Sequence, residues 1–281
     1  MGTTDALDGS AAIDAPGMLA RCDPTKPFAA PTLVENVNSS IDETTFSMTR
    51  DEEIGFVQRT VQPPASNTIV AMRRASATAP FGVLDGALTS VLNNAAGDEQ
   101  APSVISDGLI LYFHRQTASD IGIYAAVRAD ASANFDAGTL VTVDGTSLTN
   151  ALTPTISADG QTLYWLDFID FGKVFSATRN VGATGFVNKR AASTIAITSP
   201  VVLSHDELTM YYARGGGVDV LVSTRTSTTS MFGTGVPVAN VNSSASDIPI
   251  ALTDDGCVLY ISSQRSGGFG GYDMWEAHRP R

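Results

Sequence analysis

The chain consists of short apolar runs separated by turn-forming residues, and an apolar period near 3.6 is absent. Several runs are continuously apolar or alternate with polar residues, as in LILYF, TLYWL, TMYYA and CVLYI. Each of these four runs follows an Asp that is itself followed by Gly or Glu, a pair that suits a tight hairpin turn. The pattern therefore predicts an all-β protein made of short antiparallel strands.

The runs belong to a repeat of roughly 50 residues that occurs five times. An Asp at the hairpin turn recurs as Asp51, Asp107, Asp159, Asp206 and Asp255. An aromatic residue stands five positions later, as Phe56, Tyr112, Tyr164, Tyr211 and Tyr260. A small residue, any residue and an Arg follow, ending at Arg73, Arg128, Arg179, Arg225 and Arg279. Each unit opens with a Phe, as Phe28, Phe81, Phe135, Phe186 and Phe232.

Four short strands fit into each unit, and four antiparallel strands per repeat of this length are typical of a β-propeller. We therefore predict a five-bladed β-propeller of four-stranded antiparallel blades over residues 22–281, preceded by a disordered leader at 1–21. The inner strands are predicted near 103–105, 155–157, 201–203 and 250–252. Closing the ring requires the strand at about 31–37 to pair with the last strand, 273–278, because closure removes exposed sheet edges.

The pattern SxDGxxLY followed by xAxR resembles the WD40-like or TolB-type (PD40-like) bacterial β-propeller repeat. Its best copy is LTDDGCVLYISSQRSGGFGGYDMWEAHR at 252–279, and the resemblance covers residues 28–281. Glu52 and Glu207 depart from it, since each replaces the turn Gly. The resemblance implies a propeller in a group that includes translocation-associated periplasmic proteins, surface lipoproteins and other exported proteins. It points to an exported recognition or scaffold module at the bacterial envelope.

The turn Asp and the Arg that ends each unit both recur in all five units, and this recurrence favours a structural role for them. A short carboxylate at a turn caps the backbone N–H groups of that turn, so we assign this role to the repeated Asp. We expect the repeated Arg to pair with a neighbouring blade or to cap a strand edge.

The charge balance excludes several classes of partner. The formal net charge is −12, with 17 basic against 29 acidic side chains, which argues against nucleic acid and anionic membranes. The sequence contains no run of about 18 apolar residues, the length that a membrane-spanning helix needs. The leader lacks the features of an intact signal peptide, so the chain is either cytoplasmic or has lost its signal. The sequence predicts a monomer.

Cys22 and Cys257 are the two cysteines, and they lie near opposite ends of the chain. Cys22 precedes the closing strand, and Cys257 begins a strand of the blade that this closing strand should complete. We therefore predict a disulfide between them. Such a bond implies an oxidising compartment, which places the protein in the periplasm, at the cell surface or outside the cell.

The loops between the second and third strands differ from unit to unit, as ligand-binding loops on a rigid scaffold do. The predicted rim combines charged and aromatic side chains: Arg115, Asp167, Phe168, Asp170, Phe171, Arg214, Arg265, Phe269 and Asp273. We expect a neutral or cationic protein or glycan to bind there, on the face opposite the Asp-Gly turns. The alternative is that these charges pair across their own hairpins, as Arg214/Asp219, Arg265/Asp273 and Asp167/Lys173.

A hydrolase acting on carbohydrates or lactones at the axial mouth is the alternative function. No cofactor is predicted apart from a structural Ca²⁺, for which Asp42, Glu43, Asp98 and Glu99 are weak candidates. No catalytic residue stands out, because neither a GxSxG motif nor a zinc-type His/Cys spacing occurs. Carboxylates around an axial metal would favour the hydrolase, whereas a channel lined by Ser, Thr and apolar residues would favour the binding module.

Overall fold

A computed structural model describes residues 21–281 apart from 62–65, 83, 94–96, 171 and 215–218. The predicted leader lies outside these residues except for Arg21. Within the described part, helix is limited to α1, Ser90–Asn93. No helix in these ranges is long and apolar enough to cross a membrane.

Five antiparallel sheets surround a central channel, each with its first strand innermost, so the predicted five-bladed propeller is confirmed. Blade 1 contains β2 (Asp42–Met48), β3 (Ile54–Val61) and β4 (Ser66–Arg73). Blade 2 contains β5 (Asp98–Val104), β6 (Ile110–Gln116), β7 (Ile121–Val127) and β8 (Thr139–Leu140). A small hairpin, β9 (Thr142–Val143) and β10 (Thr146–Ser147), precedes blade 3.

Blade 3 contains β11 (Ala151–Ile156), β12 (Thr162–Asp167), β13 (Lys173–Thr178) and β14 (Val187–Ala191). Blade 4 contains β15 (Val202–Leu203), β16 (Thr209–Ala213), β17 (Val220–Thr224) and β18 (Val236–Pro237). Blade 5 contains β19 (Asp247–Leu252), β20 (Val258–Ser263), β21 (Asp273–His278) and the N-terminal strand β1 (Thr32–Leu33). Three of the inner strands, β5, β11 and β19, begin several residues earlier than predicted.

The ring is closed by the pairing of β1 with β21, as the sequence predicts, with Thr32 opposite Glu276 and Leu33 opposite Trp275. The strand is shorter than the predicted 31–37. The chain leaves the sheet edge early because Asn36 adopts a φ of 62°, in the left-handed region that Asn tolerates.

The recurring NVNSS segments at 36–40 and 240–244 extend the sheets through side chains. The Asn38 amide accepts from Met274 N at 2.6 Å and donates to Met274 O at 3.0 Å. Asn242 makes the same pair of bonds to Val220, at 2.7 and 3.1 Å. An amide side chain presents one donor and one acceptor, so each Asn replaces a backbone partner beside the third strand.

Blade 1 differs from the predicted four-stranded sheet because a single bridge, between Ala71 and Asp85, stands in place of its outermost strand. The chain then turns into α1. There Asn93 supplies the remaining ladder bonds, accepting from Ile69 N at 3.1 Å and donating to Ile69 O at 2.7 Å.

The apolar core is divided into five clusters, one between each pair of neighbouring blades. In the joint between blades 1 and 2, for example, Phe56 and Ile69 pack with Leu111 and Phe113. A blade buries its faces only when both neighbours are present. The core therefore depends on a closed ring.

The repeated Asp caps its own turn in all five blades, which confirms the structural assignment. Each carboxylate accepts the N–H two residues later, at 2.8–3.0 Å. The residue after the Asp has a positive φ in every blade. Glu52 and Glu207 therefore adopt the conformation that Gly adopts elsewhere, and their carboxylates contact Arg74 and Tyr164 respectively.

The repeated Arg clamps the turn of its own blade. Its Nε donates to the carbonyl of the residue after the turn Asp in every blade, at 2.6–3.0 Å. Its guanidinium also lies over the Phe that opens the next unit, and for the last unit over Phe28 of the first. The distance to the ring centroid is 3.9–5.1 Å, a cation–π geometry. The five clamps are Arg74 on Phe81, Arg128 on Phe135, Arg179 on Phe186, Arg225 on Phe232 and Arg279 on Phe28.

The clamps also reach the neighbouring blade, as predicted. Arg225 donates to the hydroxyl of Tyr164 at 2.7 Å, and Arg279 donates to that of Tyr211 at 3.1 Å. In the first unit the clamp is Arg74, so the assignment of Arg73 to this column is wrong. Arg73 is exposed and contacts the Ala131 carbonyl instead.

Arg74→Ala and Arg73→Ala form a matched pair that tests the clamp. The side chain of Arg74 is 5% exposed, so its removal leaves the Glu52 carbonyl without this donor and the Glu52 carboxylate with Arg21 alone. We expect Arg74→Ala to lower the free energy of unfolding by roughly 2–4 kcal/mol and Arg73→Ala by less than about 1 kcal/mol. Urea denaturation of both variants measures this, and equal losses would contradict the clamp.

Cys22 and Cys257 form a disulfide with a Cα–Cα distance of 5.6 Å and a sequence separation of 235. Closing so long a loop should raise the free energy of unfolding by about 5 kcal/mol in the chain-entropy model. We expect a reductant to lower the midpoint of urea denaturation in the wild type. The Cys22→Ser/Cys257→Ser variant should be insensitive to reductant. Two free thiols in the unfolded, unreduced protein would rule the bond out.

Candidate functional site

The ring has two faces. We call the one with the loops between second and third strands the loop face, and the one with the Asp-Gly turns the turn face. On the loop face, three carboxylates at the start of the inner strands are buried and paired with Arg. The pairs are Glu43–Arg59 at 3.1 Å, Glu99–Arg115 at 2.7 Å and Asp247–Arg265 at 2.6 Å. They belong to blades 1, 2 and 5, which are contiguous in the ring.

These pairs bear on the Ca²⁺ candidates. Burial raises the pKa of Glu43 and Glu99, while Arg59 and Arg115 act in the opposite direction. An Arg at each carboxylate opposes a metal cation at the same place. Among the described residues, no group of three or more His, Cys, Asp or Glu side chains is arranged to hold a metal ion.

The predicted hairpin pair Arg265/Asp273 is not formed. Arg265 binds Asp247 on the inner strand, and Asp273, which is 1% exposed, accepts the N–H groups of Phe269 and Gly270 at 3.0 and 3.2 Å. Asp273 therefore shapes its own loop. Arg265 and the buried Arg115 are likewise engaged within the protein.

The predicted pair Asp167/Lys173 is also replaced. Asp167 lies 3.5 Å from Lys189, and Asp170 lies 3.9 Å from Lys173. The rim is therefore less acidic than its acids alone imply, because lysines from blade 3 neutralise part of it. Arg214 is exposed, and Asp219 follows it after a segment that lies outside the described residues.

Three large apolar side chains stand exposed at the loop face. Phe168 and Ile169, in the loop after β12, are 58% and 66% exposed, and Phe269, in the loop after β20, is 69% exposed. The predicted rim residue Phe171 lies outside the described residues.

Beneath this face, polar side chains of the second strands bind the inner strand of the next blade. Gln58 accepts from Ala101 N at 3.0 Å, His114 Nδ1 accepts from Thr153 N at 3.3 Å, and Ser262 donates to the Glu43 carbonyl at 2.8 Å. Burial lowers the pKa of His114 to about 4, so this imidazole is neutral at pH 7.

The inner strands enclose an axial cavity of about 130 Å³ that opens towards the turn face. Between the inner strands its walls are hydroxyl-bearing or apolar, with Ser47, Ser103, Thr155, Val202 and Ala251 at one equivalent level, and charged side chains line only its turn-face end. Two of the hydroxyls join blades, because Ser47 Oγ accepts from Val104 N and Ser103 Oγ accepts from Ile156 N, both at 2.9 Å.

The residue immediately before each turn Asp lines the turn-face mouth of this cavity. These five residues, which we call the mouth ring, are Arg50, Ser106, Ala158, His205 and Asp254. Asp254 Oδ2 lies 3.2 Å from Arg50 Nε and 3.4 Å from His205 Nδ1. Sequence reasoning missed the mouth ring, although a signal was present. The residue at this position is of a different type in every unit, while the Asp that follows it is constant.

The carboxylates that line the cavity all have partners. Glu52 is held by Arg21 and Arg74, and Glu207 accepts from the Tyr164 hydroxyl. A glycosidase needs one carboxyl group to donate a proton and a second, unencumbered one to attack or to activate water. The described cavity supplies neither role without breaking an existing contact.

No protein-family model matches the chain, and no curated protein matches its sequence. Solved structures do match. A GH43_1 enzyme from Xanthomonas citri has a TM-score of 0.61 at 13% identity, over 89% of this chain and 91% of that one. An α-L-arabinofuranosidase from Podospora anserina has a TM-score of 0.52 at 13% identity, over 92% and 98%.

TolB from Acinetobacter baumannii matches with a TM-score of 0.44 at 12% identity, over 91% of this chain and 55% of that one. At identities of 12–13%, the two matches with a TM-score above 0.5 show the propeller fold alone and leave the function open.

His114 should make stability depend on pH. Its pKa is about 4 in the folded protein and near 6.5 when unfolded, so between these values only the unfolded chain binds the proton. Its contribution is complete above pH 6.5, and we expect it to fall by up to about 3 kcal/mol as the pH drops to 4.

Urea denaturation at several pH values measures this term as the difference in pH slope between the wild type and His114→Leu. Leu is the matched choice because Leu166 occupies the equivalent position in blade 3. An unaltered slope in His114→Leu would contradict the assignment.

Proposed function

We propose that this protein is a non-catalytic recognition module that binds another protein through the loop face of the propeller. The observation that carries the proposal is the state of the acids near the axis. Each buried carboxylate that begins an inner strand at the loop face is bound to an Arg, and Asp273 is held by N–H groups of its own loop. The carboxylates that line the cavity, Glu52 and Glu207, are also paired. Such a site offers contacts and shape but no pair of free carboxylates.

The exposed apolar residues indicate the contact surface. Phe168, Ile169 and Phe269 project from loops of the loop face, and exposed aromatic side chains are enriched at protein interfaces. The aliphatic Ile169 beside Phe168 favours a protein over a glycan, since sugars stack on flat aromatic rings. Asp167 and Asp170 lie in the same loop region and favour a neutral or cationic partner segment.

The disulfide supports a location outside the cytoplasm. The Cys22–Cys257 bond ties the N-terminal segment to blade 5, and such bonds persist mainly in oxidising compartments. We therefore place the protein outside the cytoplasm, in the periplasm, at the cell surface or in the medium.

A selection from a displayed random-peptide library tests the proposed surface. We expect the selected peptides to contain Lys or Arg next to apolar residues, because the surface combines both features. Phe168→Ser/Phe269→Ser should reduce their binding at least tenfold, since interface anchors typically contribute more than 1.4 kcal/mol each. Val181→Ser is the matched control, because Val181 is 89% exposed on a different loop.

Asp167→Asn/Asp170→Asn should weaken the selected peptides more at low than at high salt, because screening removes the contribution of exposed charges. Selected peptides that bind the double-Ser variant as well as the wild type would overturn the proposed surface. A glycan array that gives binding sensitive to the same variants would replace the protein partner by a sugar. Turnover of chromogenic arabinofuranosides or lactones would overturn the non-catalytic assignment.

A further inference from the structure

The mouth ring on the turn face has the features of a second binding site, separate from the loop face. Its five positions are equivalent in the repeat, and both Arg and His already occupy this position without disturbing a turn. The mouth ring has a half with ionisable side chains, which we call the charged half, and a half with short side chains, which we call the small half. Arg50, His205 and Asp254 come from the contiguous blades 1, 4 and 5, whereas Ser106 and Ala158 come from blades 2 and 3.

The charged half of the mouth ring presents hydrogen-bond donors. Arg50 and His205 both approach the same buried oxygen of Asp254, at 3.2 and 3.4 Å, without forming a hydrogen bond to it. Their side chains are nevertheless 66% and 51% exposed. A guanidinium has five N–H groups, and the Arg50 side chain is largely exposed, so it can donate to a ligand as well as lie against Asp254. The Arg50 side chain therefore lies against Asp254 and still presents N–H donors at the entrance.

The small half leaves room to enter. Ala158 and Ser106 have short side chains, and the Ser106 hydroxyl is engaged with the Ala158 carbonyl. Behind them the cavity is lined by Pro102, Pro154 and Val201 among other apolar groups, and we call this part the neck. The volume of the whole axial cavity, about 130 Å³, is close to that of a cavity that holds a benzene-sized molecule.

We propose that the turn-face mouth binds a small aliphatic carboxylate, with the carboxylate at Arg50 and the alkyl chain in the neck. A carboxylate accepts two parallel hydrogen bonds from a guanidinium, the arrangement that Arg favours. The alkyl chain gains by leaving water for apolar walls. The opposite orientation would bury the charge in the neck, which costs far more than leaving it at the mouth.

Three probes of equal length separate the contributions of head group and tail: butyrate, butanol and butylammonium. Ligand-observed NMR titration of the full chain measures their affinities. We expect butyrate to bind at least tenfold more tightly than butanol, and butylammonium to bind most weakly. This order follows because a hydrogen bond to a charged group is stronger than one between neutral groups.

Three variants locate the site. Arg50→Gln should abolish the preference for butyrate while leaving butanol within about twofold, because the neck is unchanged. Ala158→Leu should weaken both probes at least tenfold by filling the entrance. Arg214→Gln is the matched control, since it removes an exposed Arg from the loop face. Melting temperatures within about two degrees of the wild type show that each variant is folded.

Either of two results would overturn the proposal: tightest binding by butylammonium, or butyrate binding that survives both Arg50→Gln and Ala158→Leu. Absence of binding by all three probes would also overturn it. None of these outcomes touches the protein-binding surface at the loop face, which is tested by different variants.

Discussion

The whole structure depends on one constraint, that the two ends of the chain must meet. Every apolar cluster lies between two neighbouring blades, so blades 1 and 5 bury their facing surfaces only if the ring closes. The outermost strand of blade 5 is contributed by the N-terminal β1. The closure is reinforced at the turn face, where Arg21 contacts both Glu52 of blade 1 and Asp255 of blade 5 beside the disulfide.

Within a blade, the repeated Arg links elements that are distant in sequence. The guanidinium holds the hairpin turn through its Nε, covers the opening Phe with its flat face, and in blades 4 and 5 reaches a Tyr hydroxyl of the preceding blade. A planar group with five donors can make all of these contacts at once, which Lys cannot. This geometry explains why the Asp, aromatic, Arg and Phe columns recur together.

The positions that differ between units are not needed for the repeated contacts and can carry properties specific to one blade. On the loop face, buried polar residues are concentrated in blades 5, 1 and 2, where Gln58, His114 and Ser262 bridge the joints, while Leu166 and Ala213 take the equivalent places in blades 3 and 4. On the turn face, the mouth ring varies from Arg to Ala. A fold maintained by constant columns can vary the remaining ones, and both proposed sites consist of such variable residues.

The sequence by itself determined the strand class, the number of blades, the closing strand and the capping role of the Asp, because these follow from local periods and a repeat. It also paired Cys22 with Cys257, since closure brings the two together. It misassigned Arg73 in place of Arg74, because an offset of one residue is invisible until the turn carbonyl and the Phe ring are in place.

The partner of each charged side chain was decided only by the tertiary structure. Arg265 forms its ion pair with Asp247 and not with Asp273. Asp167 forms its ion pair with Lys189 and not with Lys173. Strand register and burial set these distances, and neither can be read from spacing along the chain. The same holds for the mouth ring. Its five residues are about 50 positions apart in sequence and become one site only because the inner strands converge on a common axis.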